Sequence, residues 1–113
     1  MRFSPHVLGA QGEARAARWY RSRGFDILER NWRCAEGESD IIAGRGDTVV
    51  FCEVKTRSSH RFGTPAEAVD AHRRRRLRRA AVTWLGDRRW YPVIRFDIAE
   101  VIGGRVTVIE AAF

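Results

Sequence analysis

Two short β-branched runs, Ile41-Ile42-Ala43 and Val49-Val50-Phe51, flank the segment Gly44-Arg45-Gly46-Asp47. Apolar runs around a glycine-rich turn predict a β-hairpin. Upstream, the spacing over residues 4–23 is helical. Ser4 can cap that helix and Pro5 suits its first turn. Val7, Leu8, Ala10, Ala14, Ala17, Trp19 and Tyr20 supply apolar faces, and Gly24 is placed to end it. Residues 25–33 alternate imperfectly, as an edge strand does. Thr64-Pro65 opens a second helix, with Thr64 and Glu67 as a capping box. This helix is expected to run to about Leu85 and stop at Gly86, with Ala66, Val69, Leu77, Ala80, Ala81, Trp84 and Leu85 at helical spacing. Residues 91–101 read as a fourth strand, and Gly103-Gly104 turns it into an antiparallel fifth over residues 106–109. The predicted order is α-β-β-β-α-β-β, an α/β fold.

At 113 residues, 44% of them apolar, the chain reads as one globular domain over residues 1–113. No run approaches the roughly 18–20 apolar residues of a membrane span, and the first residues lack the apolar core of a secretory signal. A cytoplasmic protein with no membrane partner is the expectation. Cys34 and Cys52 have no CxxC or histidine spacing around them and read as free thiols. The formal net charge is +7 and the pI about 10.9, and nearly all the cation is arginine. A high-GC genome accounts for arginine over lysine, but not for the excess of positive charge. That excess points to nucleic acid.

The hairpin carries ionisable residues where a strand is usually apolar. Glu53 and Lys55 are two apart and share a face. Asp40, near the end of the incoming strand, lies level with them if the turn is short. Two carboxylates on adjacent strands suit a hard divalent cation such as Mg²⁺ or Mn²⁺, with the Val54 carbonyl as a further ligand. Lys55 would then orient an attacking water or stabilise charge on a phosphoryl group. The competing reading is a cross-strand salt bridge, worth at most about 1 kcal/mol if exposed. The strand-centre setting favours function, because a buried charge is costly without a partner or an ion. Glu13 lies one helical turn from both Ala10 and Ala17. It is either a surface ion-pair partner for Arg18 or Arg21, or a carboxylate added to this site.

Six arginines, Arg73, Arg74, Arg75, Arg76, Arg78 and Arg79, fall within seven positions of the second helix. They cannot share one face, so some flank the buried stripe and the rest form a basic ridge. A solvated surface explains most charge runs, but here the density and the scarcity of interleaved acids favour phosphate contact. Arg57 joins them as a candidate nucleic-acid contact.

The order of these elements, a helix-one Glu, then Asp, then Glu-x-Lys, then a helix, resembles the PD-(D/E)xK nuclease superfamily. More closely, the chain resembles the bacterial UPF0102, or YraN-like, family. The matching segments are GAQGEARAARWYRSRGFDILERNWRCAEGESDII, GDTVVFCEVKTRSSHRFGTPAEAV, RRLRRAAVTWL and RFDI. The resemblance implies a restriction-endonuclease-like core, a mixed central sheet flanked by helices, similar to archaeal Holliday-junction resolvases. It implies Lys55, Glu53, Asp40 and Glu13 as catalytic residues, with Asp40, Glu53 and Glu13 toward the metal. Glu38 matches a Glu of the family motif and is either a further ligand or a salt-bridge partner. Ser39 departs from that motif, and Arg73 stands where the family often has a lysine. Arginine keeps a phosphate contact but cannot serve as a neutral base. The expected function is Mg²⁺- or Mn²⁺-dependent hydrolysis of DNA phosphodiester bonds, on branched or structured DNA. The alternative is a non-catalytic nucleic-acid-binding protein on the same fold. A homodimer, through a sheet edge or through Trp84, Trp90 and Tyr91, would suit a junction.

Overall fold

The computed structural model describes residues 5–59, 63, 64, 67 and 69–113. In chain order the elements are α1 (Pro5–Ser22), β1 (Asp26–Arg33), β2 (Glu38–Arg45), β3 (Thr48–Arg57), α2 (Ala71–Arg88), β4 (Val93–Ile102) and β5 (Arg105–Ile109). The order α-β-β-β-α-β-β is the one expected. The five strands form one mixed sheet, β1-β2-β3-β4-β5. Only the β3–β4 pair is parallel. That parallel step is made by the crossover carrying α2, since parallel neighbours need a long connection.

Adjacent strand residues point to opposite faces, and here both faces are apolar. Ile41, Ala43, Val50, Cys52 and Ala99 bury against Ala16, Ala17 and Tyr20 of α1. Ile42, Val49 and Phe51 bury against Ala81, Trp84 and Leu85 of α2. The sheet thus lies between the two helices, a mixed α/β arrangement consistent with a nuclease-like core. Cys34 and Cys52 are free thiols.

The buried stripe of α1 is Gly12, Ala16, Ala17 and Tyr20, and Ala10 is exposed. The apolar face is therefore rotated from the one the alanine spacing suggested. Gly12 explains the rotation. A Cβ there would run into Thr56 Oγ1, so the bare glycine lets α1 lie directly on β3. Further along, Tyr20 donates to Asp97 Oδ2 at 2.6 Å. Asp97, fully buried, also accepts from Arg95 Nε and Nη2, each at 2.9 Å, and from the Ala111 amide at 3.0 Å. A buried carboxylate so paired escapes the cost of an isolated charge.

The arginine-bearing helix starts at Ala71, after a break at Val69 and Asp70, although Glu67 is itself helical. Thr64 caps Glu67, whose N donates to Thr64 Oγ1 at 3.4 Å, while Thr64 Oγ1 donates to Glu67 Oε1 at 3.0 Å in place of the backbone contact of a full capping box. The chain bends at Val69, however, and α2 starts at Ala71 with Asp70 as its N-cap. Asp70 Oδ1 accepts from the Arg73 amide at 2.9 Å. An Asp three residues before a free amide is as good a cap as a threonine, and its choice over Thr64 lets Val69 drop into the core beside Leu77 and Ile98. At the other end Gly86 is inside the helix, which closes instead with Arg89 in the left-handed region, φ 51°. Ser4, Pro65 and Ala66 lie outside the described residues, as do the side chains of Val7 and Leu8. Trp84 is buried against Phe51 and Trp90 and closes the core, whereas Tyr91 is exposed. Neither described helix is long and apolar enough to cross a membrane.

Candidate active site

The β2–β3 ladder pairs Arg45 with Thr48 and runs to Ile41 with Cys52. Asp40 and Glu53 are the next residue on each strand, so the hairpin brings the two carboxylates level. Because Ile42 and Phe51 face α2, Asp40 and Glu53 face it as well. Asp40 Oδ2 accepts the Val54 amide at 2.8 Å, which fixes its orientation. Glu53 is only 1% exposed. Lys55, two residues on, places Nζ 3.5 Å from Glu53 Oε1.

The N-terminal turn of α2 closes over this pair. Arg73 donates to Glu53 Oε1 from Nε at 3.0 Å and from Nη2 at 2.6 Å. Its Nη1 lies 3.5 Å from Glu38 Oε1. The helix can come this close because Gly37 has no side chain. A Cβ on Gly37 would strike the Arg76 carbonyl, with the carbonyl carbon 2.8 Å away. On the opposite side Asn31 lies between the Arg30–Ile41 and Trp32–Ser39 pairs, hence across from Asp40, with φ 53°. Asparagine tolerates this left-handed conformation better than most residues, and strain of this kind gathers near functional sites.

Burial and the facing charge of Glu53 push the Asp40 pKa up to about 7, against the pull of the Val54 hydrogen bond; Glu13 adds to the rise and Arg73 opposes it. Partial burial works against the charge on Arg73, but its hydrogen bonds to Glu53 and the charges of Glu53, Glu38 and Asp40 outweigh that and raise its pKa. One oxygen, Glu53 Oε2, is buried with no hydrogen-bond partner among the described residues. Both of Arg73's shorter contacts fall on Oε1, so the second lone-pair set of the carboxylate is unused. Such an orphan is costly.

The donor set fits a hard divalent cation. No group of three or more His, Cys, Asp or Glu side chains that could hold a metal ion occurs among the described residues. Mg²⁺, however, commonly binds through one or two carboxylates and completes its shell with water and substrate phosphate. Asp40, its pKa raised by burial and by the charge of Glu53, and the orphaned Glu53 Oε2 would supply those two. Glu13 is half-buried on α1, with Arg30 Nη2 3.9 Å away on β1, and its charge reaches Asp40. Glu38 is held between Arg33, 3.5 Å away, and Arg73.

The arginines divide into three groups. Arg73 turns inward onto the acids. Arg57 donates to the carbonyls of Gly63 at 2.6 Å and Thr64 at 3.0 Å and lies 4.0 Å from Glu100, so it ties the end of β3 to the following loop. Arg74 donates to the Val69 carbonyl at 2.8 Å and lies over the Phe113 ring, as does Arg78 from the helix surface. Arg75, Arg78 and Arg79 are exposed and Arg76 is half-buried. The outward ridge is thus narrower than the run of six.

The hairpin brings Asp40, Glu53 and Lys55 to one place, and Arg73, a phosphate contact in the sequence reading, lies on Glu53 Oε1. The signal was present: Asp70 and Arg73 stand in N-cap and N3 spacing. It was masked by the stronger-looking Thr64–Glu67 box. The Asp97–Tyr20–Arg95 network was unread because its members come from distant segments.

A mixed sheet between two helices, with carboxylates and a lysine at the ends of adjacent strands, defines an α/β class consistent with a nuclease-like core. The chain belongs to UPF0102, described as an uncharacterised protein family, whose model matches residues 12–101. A UPF0102 protein of Moorella thermoacetica is 48% identical over 112 residues, 93% of each chain. One from Beutenbergia cavernae is 46% identical over 88% of this chain and 85% of its own. Another from Nocardia farcinica is 52% identical over 85% and 76%.

Proposed function

We propose that this protein is a divalent-cation-dependent nuclease that hydrolyses DNA phosphodiester bonds, with branched or structured DNA as the substrate class. The supporting observation is the level Asp40–Glu53 pair, with Glu53 Oε2 buried and unpartnered and Lys55 Nζ 3.5 Å from the other oxygen. Asp40 and Glu53 would hold Mg²⁺ or Mn²⁺. Such an ion offsets charge building on a phosphoryl oxygen and lowers the pKa of water. Asp40 is oriented for this by the Val54 amide. Lys55, partly exposed, presents an ammonium that donates to the attacking water or to the phosphoryl oxygen. Arg75, Arg78 and Arg79 on the open side of α2 neutralise backbone phosphates.

One observation favours a second reading, a nucleic-acid-binding protein without catalysis. Arg73 and Lys55 already give Glu53 two cationic neighbours, which a purely structural ion-pair cluster would also show. Cleavage separates the two. Duplex, single-stranded, flap and four-way DNA are incubated with Mg²⁺ or Mn²⁺. The nuclease reading expects nicks that Asp40→Ala and Lys55→Ala abolish while DNA binding persists. No cleavage of any substrate by the wild type, with binding intact in Asp40→Ala, overturns it.

A further inference from the structure

Arg73 of α2 reaches the acidic centre, and its attachment there is split between a fixed part and a movable one. Its backbone amide is anchored to the Asp70 cap at 2.9 Å, at the rigid start of α2. Its guanidinium holds Glu53 Oε1 and approaches Glu38, yet the side chain is 38% exposed, so a rotamer change can carry the fork outward while the helix stays in place.

Charge balance shows what that movement would do. Asp40, Glu53 and Glu38, when ionised, are matched by Arg73, Lys55 and the Arg33 that flanks Glu38. A divalent cation at Asp40 and Glu53 adds positive charge to a centre already balanced, and a phosphodiester offsets part of it. The guanidinium and the incoming cation repel each other and compete for the same carboxylate, whereas a phosphodiester accepts the planar fork that Arg73 offers.

We propose that Arg73 is the resident counter-ion of the unloaded centre, held on Glu53, and that it passes to a substrate phosphodiester when a divalent cation takes Glu53. Metal and nucleic acid are then mutually reinforcing ligands, each raising the affinity of the other by the same factor. Without DNA, Arg73 holds the metal affinity down and keeps the centre idle. This inference rests on the nuclease reading.

The test reads metal binding rather than cleavage. Mn²⁺ alone is titrated calorimetrically into wild type, Arg73→Gln and Asp40→Ala without DNA. The expected result is binding to Arg73→Gln tighter than wild type by on the order of tenfold, and none to Asp40→Ala. Should Arg73→Gln fail to fold, the wild type carries the test by itself. The Arg73 Nε–H resonance is followed during a Mg²⁺ titration, and it should lose the shift of a carboxylate-bound donor as the ion binds. Equal Mn²⁺ affinity in wild type and Arg73→Gln, or an Nε–H that stays put while Mg²⁺ binds, overturns the inference and leaves the metal centre standing. Failure of both proteins to bind Mn²⁺ overturns the centre and the inference together.

Discussion

Asp40 and Glu53 stand level on β2 and β3, one residue past the Ile41–Cys52 pair, with a single hydrogen bond from Val54 to orient the first and an orphaned oxygen on the second. Two carboxylates so placed repel each other unless a proton or a cation intervenes. Burial first, and the facing charge of Glu53 second, push the Asp40 pKa from its ordinary 3.8 up to about 7. Its folded-state pKa lies above the unfolded one, so the folded chain holds the proton more tightly. The stability this confers is complete below about pH 4 and is lost as pH rises through about 7. A carboxyl-detected NMR titration of the metal-free protein should place Asp40 near 7, and Mg²⁺ should drive the transition to lower pH. An Asp40 that titrates near its ordinary value would contradict the facing-charge account.

Asp40→Asn follows from the same geometry. The amide removes the repulsion, keeps an acceptor for the Val54 amide, and adds a donor for Glu53. At pH 8 this variant should be more stable than the wild type by about 1 kcal/mol, measured by urea denaturation. Millimolar Mg²⁺ should raise the melting temperature of the wild type and leave that of Asp40→Asn unchanged. Loss of stability in Asp40→Asn at pH 8 would count against the repulsion.

How much of this was legible in the sequence differs from residue to residue. The hairpin was readable because its glycine-rich turn and β-branched runs are local signals, and Asp40, Glu53 and Lys55 came with it. The parallel β3–β4 pairing has no local signal, because pairing between distant segments leaves no mark in local pattern, and the mixed sheet is implied only by the family resemblance. The break before α2 is hidden in the sequence because Thr64–Glu67 reads as a cap by itself, and the Asp70 cap goes with the burial of Val69. Gly12 and Gly37 carried no pattern at all. Their meaning lies in what touches them.

Those glycines make distinct predictions. Gly12→Ala meets a side-chain oxygen, so the loss should be about 1–3 kcal/mol and partly recovered in Gly12→Ala/Thr56→Ala. Gly37→Ala meets the backbone of Arg76, which no side-chain change relieves. It should displace the first turns of α2, weaken the Arg73–Glu53 contact, and cost more than Gly12→Ala in denaturant melts. Equal costs with no recovery in the double variant would contradict the close approach of α1 to β3.

Asp97 provides a structural contrast to Glu53, being equally buried but fully bonded. Asp97→Ala strands Tyr20 and Arg95 and should cost about 3–5 kcal/mol, whereas Tyr20→Phe should cost about 1–3 kcal/mol. Neither residue touches the acid pair, so Mn²⁺ affinity of Tyr20→Phe, measured on the folded protein, should match the wild type. A changed affinity would tie this network to the site.

The exposed arginines should act through phosphate alone. Replacing Arg75, Arg78 and Arg79 by Gln should weaken DNA binding and flatten the log-affinity versus log-salt line by about 0.9 for each phosphate no longer neutralised, while Mn²⁺ binding without DNA is unchanged. An unaltered slope would move the nucleic-acid surface elsewhere.

Anomalous diffraction from crystals soaked in Mn²⁺ decides whether Asp40 and Glu53 share one divalent cation. One anomalous peak is expected between the two carboxylates, at about 2.1–2.2 Å from an oxygen of each, with Glu53 Oε2 among its ligands and no such peak in Asp40→Ala. A wild-type map with no peak at Asp40 and Glu53 under saturating Mn²⁺, and Arg73 still on Glu53, would contradict it.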